Sequence, residues 1–166
     1  MLQRILQLND VKDDSLFLWG PRQTGKSTLL KTLFPEVPYY DLLKSEEYTK
    51  YKLKPSLLRE ECEMLDAGSV VIIDEVQKIP ALLDEVHWLI VNCDIHFILC
   101  GSSARKLRRE GANLLGGRAL RKTMHPLVSA EIPDFDIDKA VNGGMLPRHY
   151  LVANPQKRLQ AYIGDY

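Results

Sequence analysis

Short apolar runs and stretches of helical spacing take turns along the chain from Ser15 to Met124. Ser15–Trp19 (Ser-Leu-Phe-Leu-Trp) reads as a strand ending at Gly20, and Ser27–Phe34 as the helix behind it, stopped by Pro35. Pro38–Leu42 predicts a second strand. Helical spacing over Glu46–Leu65 breaks at Pro55 and predicts two helices. Ser69–Asp74 is a continuous β-branched run, the mark of a strand buried on both faces. Pro80–Val91 carries Leu82, Leu83, Val86, Leu89 and Ile90 on one stripe and predicts a helix with proline near its start. His96–Cys100 predicts the next strand, closing at Gly101. Ser103–Glu110 predicts a short basic helix, and Ala119–Met124 a last strand. This alternation predicts an α/β domain built on a parallel sheet of about five strands.

The pattern turns irregular after Pro126, with Pro133, Gly143, Gly144, Pro147 and Pro155. Asn154-Pro155 then opens a helix with Leu159, Tyr162, Ile163 and Tyr166 on one stripe. Residues 1–132 therefore form the expected domain. Residues 133–166 read as the start of a helical segment leading to a further C-terminal domain of the same protein, since the stripe runs to the last residue without a C-cap.

Composition narrows the classes. The chain has 166 residues, 45% apolar and 27% charged, as in an ordinary globular domain. Lys plus Arg and Asp plus Glu both number 22, for a net charge of zero. That balance creates no global field for nucleic acid or anionic lipid and leaves only a local basic face for either. No apolar run approaches the roughly 20 residues of a membrane span, and the N-terminus lacks a secretory h-region. Cys62, Cys93 and Cys100 are odd in number and sit in or beside apolar segments, so they read as reduced thiols of a cytoplasmic protein. The oligomeric state has no signature here.

The chemistry begins at Gly20-Pro21-Arg22-Gln23-Thr24-Gly25-Lys26-Ser27, which fits G-x-x-x-x-G-K-[ST] between a strand and a helix. Glycines let the backbone wrap so that successive N–H groups face phosphate oxygens, and the helix offers its positive end to the same anion. Lys26 would serve the β- and γ-phosphates of ATP, Ser27 would coordinate Mg²⁺, and Thr28 would reach the α-phosphate. Arg22 belongs on the rim. The competing reading is a strand-to-helix turn that contains Lys-Ser by chance.

A second element is Val70–Glu75, an apolar strand ending in two carboxylates. At the C-terminal end of a parallel strand an acid faces the ligand crevice. Asp74 is then a Mg²⁺ ligand, direct or through water, and Glu75 the general base that activates water. The competing reading is an acidic strand exit into solvent. Ser102, after the strand ending at Gly101, is the candidate γ-phosphate sensor, with helix capping as its plainer role. Arg118 is the first choice for an arginine that stabilises transition-state charge, although Arg105, Lys106, Arg108, Arg109, Arg118 and Arg121 also suit a solvated face.

With these motifs in place the chain resembles a group of bacterial and archaeal AAA+-like ATPases that join an ATPase half to a C-terminal half of unassigned role. The resemblance rests on the phosphate loop and on Ile73-Asp74-Glu75-Val76-Gln77-Lys78-Ile79-Pro80. Gly101-Ser102-Ser103, Gly117-Arg118, Pro126–Glu131 and Gly143–Pro147 continue it in order. It implies a P-loop NTPase three-layer sandwich with strand order 5-1-4-3-2, the Asp74 strand second from an edge and beside the Ser102 strand. It also implies ATP and Mg²⁺ as cofactors and the C-terminal half as a partner. Cys100 departs from the usual threonine before Gly-Ser-Ser. The expected activity is ATP hydrolysis. An ATP-binding switch with negligible turnover is the alternative, and a small-molecule kinase is disfavoured by Glu75 beside Asp74.

Overall fold

The β-branched run at Val70–Asp74 becomes an inner strand because it carries apolar side chains on both of its faces. In the computed structural model, which describes residues 2–104, 107, 115–152 and 154–164, it is β3 of a parallel sheet. The strands are β1 (Ser15–Trp19), β2 (Tyr39–Asp41), β3 (Val70–Asp74), β4 (His96–Gly101) and β5 (Ala119–Thr123). Their order is β2-β3-β4-β1-β5, which is the expected 5-1-4-3-2 read from the other edge. All the pairings are parallel, with Asp74 opposite Cys100 and Trp19 opposite Gly101. The C-terminal ends of β1, β3 and β4 therefore open on the same edge of the sheet.

Side chains alternate across the sheet with a period of two. Phe17, Trp19, Val71, Ile73, Phe97 and Leu99 face one core, and Leu16, Leu18, Ile72, Ile98 and Cys100 the other. The first core is closed by α2 (Ser45–Leu53), α3 (Ser56–Cys62) and α4 (Leu82–Cys93), through Tyr51, Leu58, Cys62, Leu82, Leu83, Val86 and Leu89. The second is closed by α1 (Lys26–Leu33), through Leu30, and by the 3-10 turn Asn9–Lys12, through Val11. Three layers result. Pro55 separates α2 from α3, as its missing N–H and fixed φ require.

Helical order continues beyond Pro126, where the sequence pattern looked irregular. It comprises α5 (Ile137–Gly143), α6 (Pro147–Tyr150) and α7 (Gln156–Gly164). Asp136 caps α5 by accepting the Lys139 N–H at 3.0 Å, a signal present in the sequence but masked by the surrounding prolines and glycines. Leu127, Ile132 and Tyr150 form a small third core with Leu2, Ala140 and Met145 packed on it. The basic segment expected at Ser103–Glu110 falls largely outside the described residues, including Arg105, Lys106, Arg108 and Arg109.

The N-terminal segment is fastened by a buried ion pair. Arg4 Nε lies 2.9 Å from Glu131 Oε1, with side-chain exposures of 9% and 2%. Glu131 also accepts the N–H groups of Ile5 at 2.9 Å and Val128 at 3.1 Å. Burial pushes the Glu131 carboxyl up, but the hydrogen bonds from Arg4, Ile5 and Val128 outweigh it and leave the group below its ordinary 4.5. A carboxyl lowered on folding stabilises the fold above its unfolded value, and that contribution is lost as pH falls through the folded one. Glu131→Gln should cost about 3 kcal/mol at neutral pH, or about 6–12 °C in Tm for a chain of this size. The gap between parent and variant should narrow below pH 4.5 in urea titrations. A gap constant from neutral to about pH 3 would contradict this account of the ion pair.

Candidate functional site

The loop between β1 and α1 is shaped by two glycines. A Cβ on Gly20 would lie 2.2 Å from the Met124 carbonyl oxygen, so no other residue fits where β1 leaves the sheet. Gly25 sits at the α1 N-cap with φ 94°, a conformation that L side chains avoid. Thr24 is fully buried, and its hydroxyl donates to the Pro21 carbonyl at 2.9 Å, tying the loop to itself. Lys26 is buried at the first turn of α1, with Nζ donating to the carbonyls of Gly20 at 2.7 Å and Pro21 at 2.9 Å. An anion entering the loop competes with those two carbonyls for the ammonium group.

Asp74, 3% exposed at the end of β3, faces this loop. Its Oδ2 accepts from Ser27 Oγ at 2.6 Å and from the Tyr39 hydroxyl at 2.6 Å, and its Oδ1 accepts the Glu75 N–H at 3.0 Å. Burial, and then the neighbouring Asp74 carboxylate, raise the Tyr39 phenol far above its ordinary range, so it stays a donor. Burial and Asp74 likewise raise the Cys100 thiol on the adjacent strand well above its usual value. Cys100 is thus a buried apolar neighbour of the carboxylate rather than a reactive thiol.

Glu75 leaves β3 in the left-handed region, at φ 59° and ψ 40°, a costly place for a non-glycine residue and one that recurs at functional sites. The 3-10 turn Val76–Lys78 follows, and Gln77 Nε2 donates both to the Glu75 carboxylate and, at 3.3 Å, to Ser102 Oγ beyond β4. One buried amide thus spans the ends of two strands.

A cleft of about 990 Å³ gathers Arg22, Gln23, Gly25, Lys26, Ser27, Thr28, Glu75 and Ser102 on its walls. Asp74 lies beneath it through its bond to Ser27. Arg118 is not brought to this cleft. It lines a different depression with Asp14, Ser15 and His96, at the N-terminal ends of β1 and β4. Three residues at the site were not singled out from the sequence. Gln77 had a signal in its fixed spacing after Asp74-Glu75. Arg148 lies on the cleft wall beside Pro147 and directly follows Gly143–Pro147. Tyr39 had no signal, since only the pairing of β2 with β3 brings its hydroxyl to Asp74.

Residues 12–133 match the AAA domain family. No curated protein matches the chain. Among solved structures, the Walker-type ATPase of Pyrococcus abyssi is similar, with a TM-score of 0.55 and 16% identity over 87% of this chain and 62% of that one. At that identity the likeness speaks for the fold alone. The chain spans less than two thirds of that ATPase's length.

The Tyr39 contact makes a testable claim about the buried carboxylate. Tyr39→Phe removes one charge-assisted donor from Asp74 and should destabilise the protein by about 1.5–3 kcal/mol in urea. On an Asp74→Ala background the same change should cost less than about 0.5 kcal/mol, because the partner is gone. Equal costs on both backgrounds would show that the hydroxyl does not act through Asp74.

Proposed function

The chain belongs to the AAA domain family, and from that premise we propose that it is a Mg²⁺-dependent ATPase domain. The observation that carries the reading is one cleft, at the C-terminal ends of β1, β3 and β4, that gathers Lys26, Ser27, Glu75 and Ser102. In open parallel sheets ligands bind outside the carboxyl ends of the strands.

Each residue has a part that its surroundings support. Lys26 would exchange its two loop carbonyls for the β- and γ-phosphate oxygens, and the loop N–H groups with the α1 N-terminus would hold the rest of the chain of phosphates. Ser27 Oγ and the Asp74 carboxylate, 2.6 Å apart, are hard oxygen donors that fit Mg²⁺. The ion, when bound, would neutralise charge on the β- and γ-phosphate oxygens. Glu75, on the cleft wall, would orient a water and accept its proton. Ser102 would hydrogen-bond the γ-phosphate. An adjoining apolar cleft of about 450 Å³, lined by Leu2, Leu6, Leu29, Met124 and Leu127, meets the first at Gly25 and Thr28, which suits the nucleoside.

Residues 133–166 fit the start of a segment that leads to a further domain, whose movement hydrolysis would drive. This segment supplies Pro147 and Arg148 to the cleft wall, so Arg148, unlike Arg118, is an arginine of this chain that the fold brings to the cleft. No helix among the described residues is long and apolar enough to cross a membrane. The three cysteines are free, which suits the reducing cytoplasm.

One observation favours a second reading, an ATP-binding switch with negligible hydrolysis: the Gln77 amide engages both Glu75 and Ser102, so one oxygen of the base is already occupied by a donor other than water. Turnover measured alongside affinity separates the two. Binding itself is tested at Lys26. Lys26→Ala removes a charge-assisted contact of about 1.5–3 kcal/mol and should weaken ATP binding at least tenfold by calorimetry. Unchanged affinity in a folded variant would remove the phosphate loop from the account.

A further inference from the structure

Arg4 does more than pair with Glu131. Its Nη1 donates to the Thr24 carbonyl at 2.7 Å, and its Nη2 to the carbonyls of His125 at 2.7 Å and Pro126 at 3.3 Å. One guanidinium therefore ties the phosphate loop to the segment that follows β5. The contact with Thr24 has a geometric consequence. The chain has no cis peptide bond among its described residues, and in a planar trans peptide the C=O and the following N–H point in opposite directions. Holding the Thr24 carbonyl toward Arg4 therefore turns the Gly25 N–H away from Arg4. Gly25 is on the wall of the cleft that carries Lys26 and Ser27.

We propose that Arg4 is a positioning residue of the phosphate loop, which orients the Thr24–Gly25 peptide so that the Gly25 N–H faces the phosphate groups of a bound nucleotide. The inference rests on the nucleotide-binding reading and deepens it. Two further observations agree with it. Gly25 has a positive φ, and glycine restrains the peptide before it weakly, so a partner on the Thr24 carbonyl narrows the orientations open to that peptide. A cation on the carbonyl also polarises the peptide and strengthens its N–H as a donor. Glu131 neutralises Arg4 at 2.9 Å, so the effect on a ligand comes from orientation rather than from added positive charge near the phosphates.

The two arms of Arg4 can be separated. Affinities for Mg-ATP and for Mg-tripolyphosphate, which has no nucleoside, are measured by calorimetry at a temperature where circular dichroism shows each variant folded. Arg4→Met should lose about fivefold or more for both ligands, the worth of one well-placed hydrogen bond. Arg4→Lys keeps the charge beside Glu131 but lacks the planar fork whose three separate nitrogens reach Glu131, Thr24 and His125. It should lose at least about threefold for both, and it carries the test if Arg4→Met does not fold. Glu131→Gln keeps the arm to Thr24, so it should lower Tm while leaving both affinities within about twofold. The inference is overturned if the Arg4 variants lose stability and keep their affinities. It is overturned equally if Glu131→Gln weakens binding as much as they do, since loosening of the fold would then be the cause. A parent protein that binds neither ligand defeats the nucleotide reading, and this inference with it.

Discussion

A carboxylate buried at 3% exposure must be met by donors from every side, and Asp74 is met by three. Removing an ionised group from water costs several kcal/mol unless hydrogen bonds replace the lost hydration. The donors come from three places: Ser27 at the start of α1, Tyr39 in β2, and the backbone of Glu75. Satisfying Asp74 therefore fixes the distance between the phosphate loop and the end of β3, and draws the edge strand β2 into the same arrangement. The strained backbone at Glu75 belongs to the same constraint, because its N–H is one of the three donors. The site is held together from beneath before any ligand arrives.

The strand order turns that local constraint into a cleft. β4 lies between β1 and β3, so the loop after β1 and the acids after β3 flank the end of β4, where Ser102 stands. The ends of β1 and β3 stand about 10 Å apart at the usual strand spacing, and the Ser27–Asp74 hydrogen bond at 2.6 Å closes the floor between them. Gln77 links the Glu75 side of this gap to the Ser102 side through one amide. The ends of β3 and β4 are thus tied by a side chain as well as by the sheet.

Much of this was legible in the sequence because the relevant signals are local. Five strands were readable from runs such as Val70–Asp74 and His96–Cys100, with boundaries within a residue or two of those observed. The phosphate loop and the Asp74-Glu75 pair were readable because backbone geometry forces glycine, lysine, hydroxyl and acid into fixed spacing. Their meeting at one cleft follows from parallel connections. What escaped depends on contacts distant in sequence. Tyr39 acts 35 positions from Asp74, and Arg4 reaches 20 positions to Thr24 and 121 to His125. No period or spacing encodes such pairs. Arg118 is the sequence's first choice for a transition-state arginine, but it sits at the start of β5, at the opposite end of the strands from the cleft. Helices α5 and α6 were hidden because short helices between prolines and glycines show too few turns for a periodic signal.

If Glu75 activates water in this cleft, its carboxylate is what hydrolysis depends on, and Glu75→Gln removes it without changing the size of the side chain. Parent protein and Glu75→Gln, each in excess over labelled Mg-ATP, are compared in single-turnover cleavage, with affinity measured on the same samples. Both should bind ATP within about threefold of each other while the variant cleaves it about 10²–10⁴-fold more slowly, the usual contribution of a general base. A variant that cleaves as fast as the parent, or a parent that binds ATP and never cleaves it, would contradict the account.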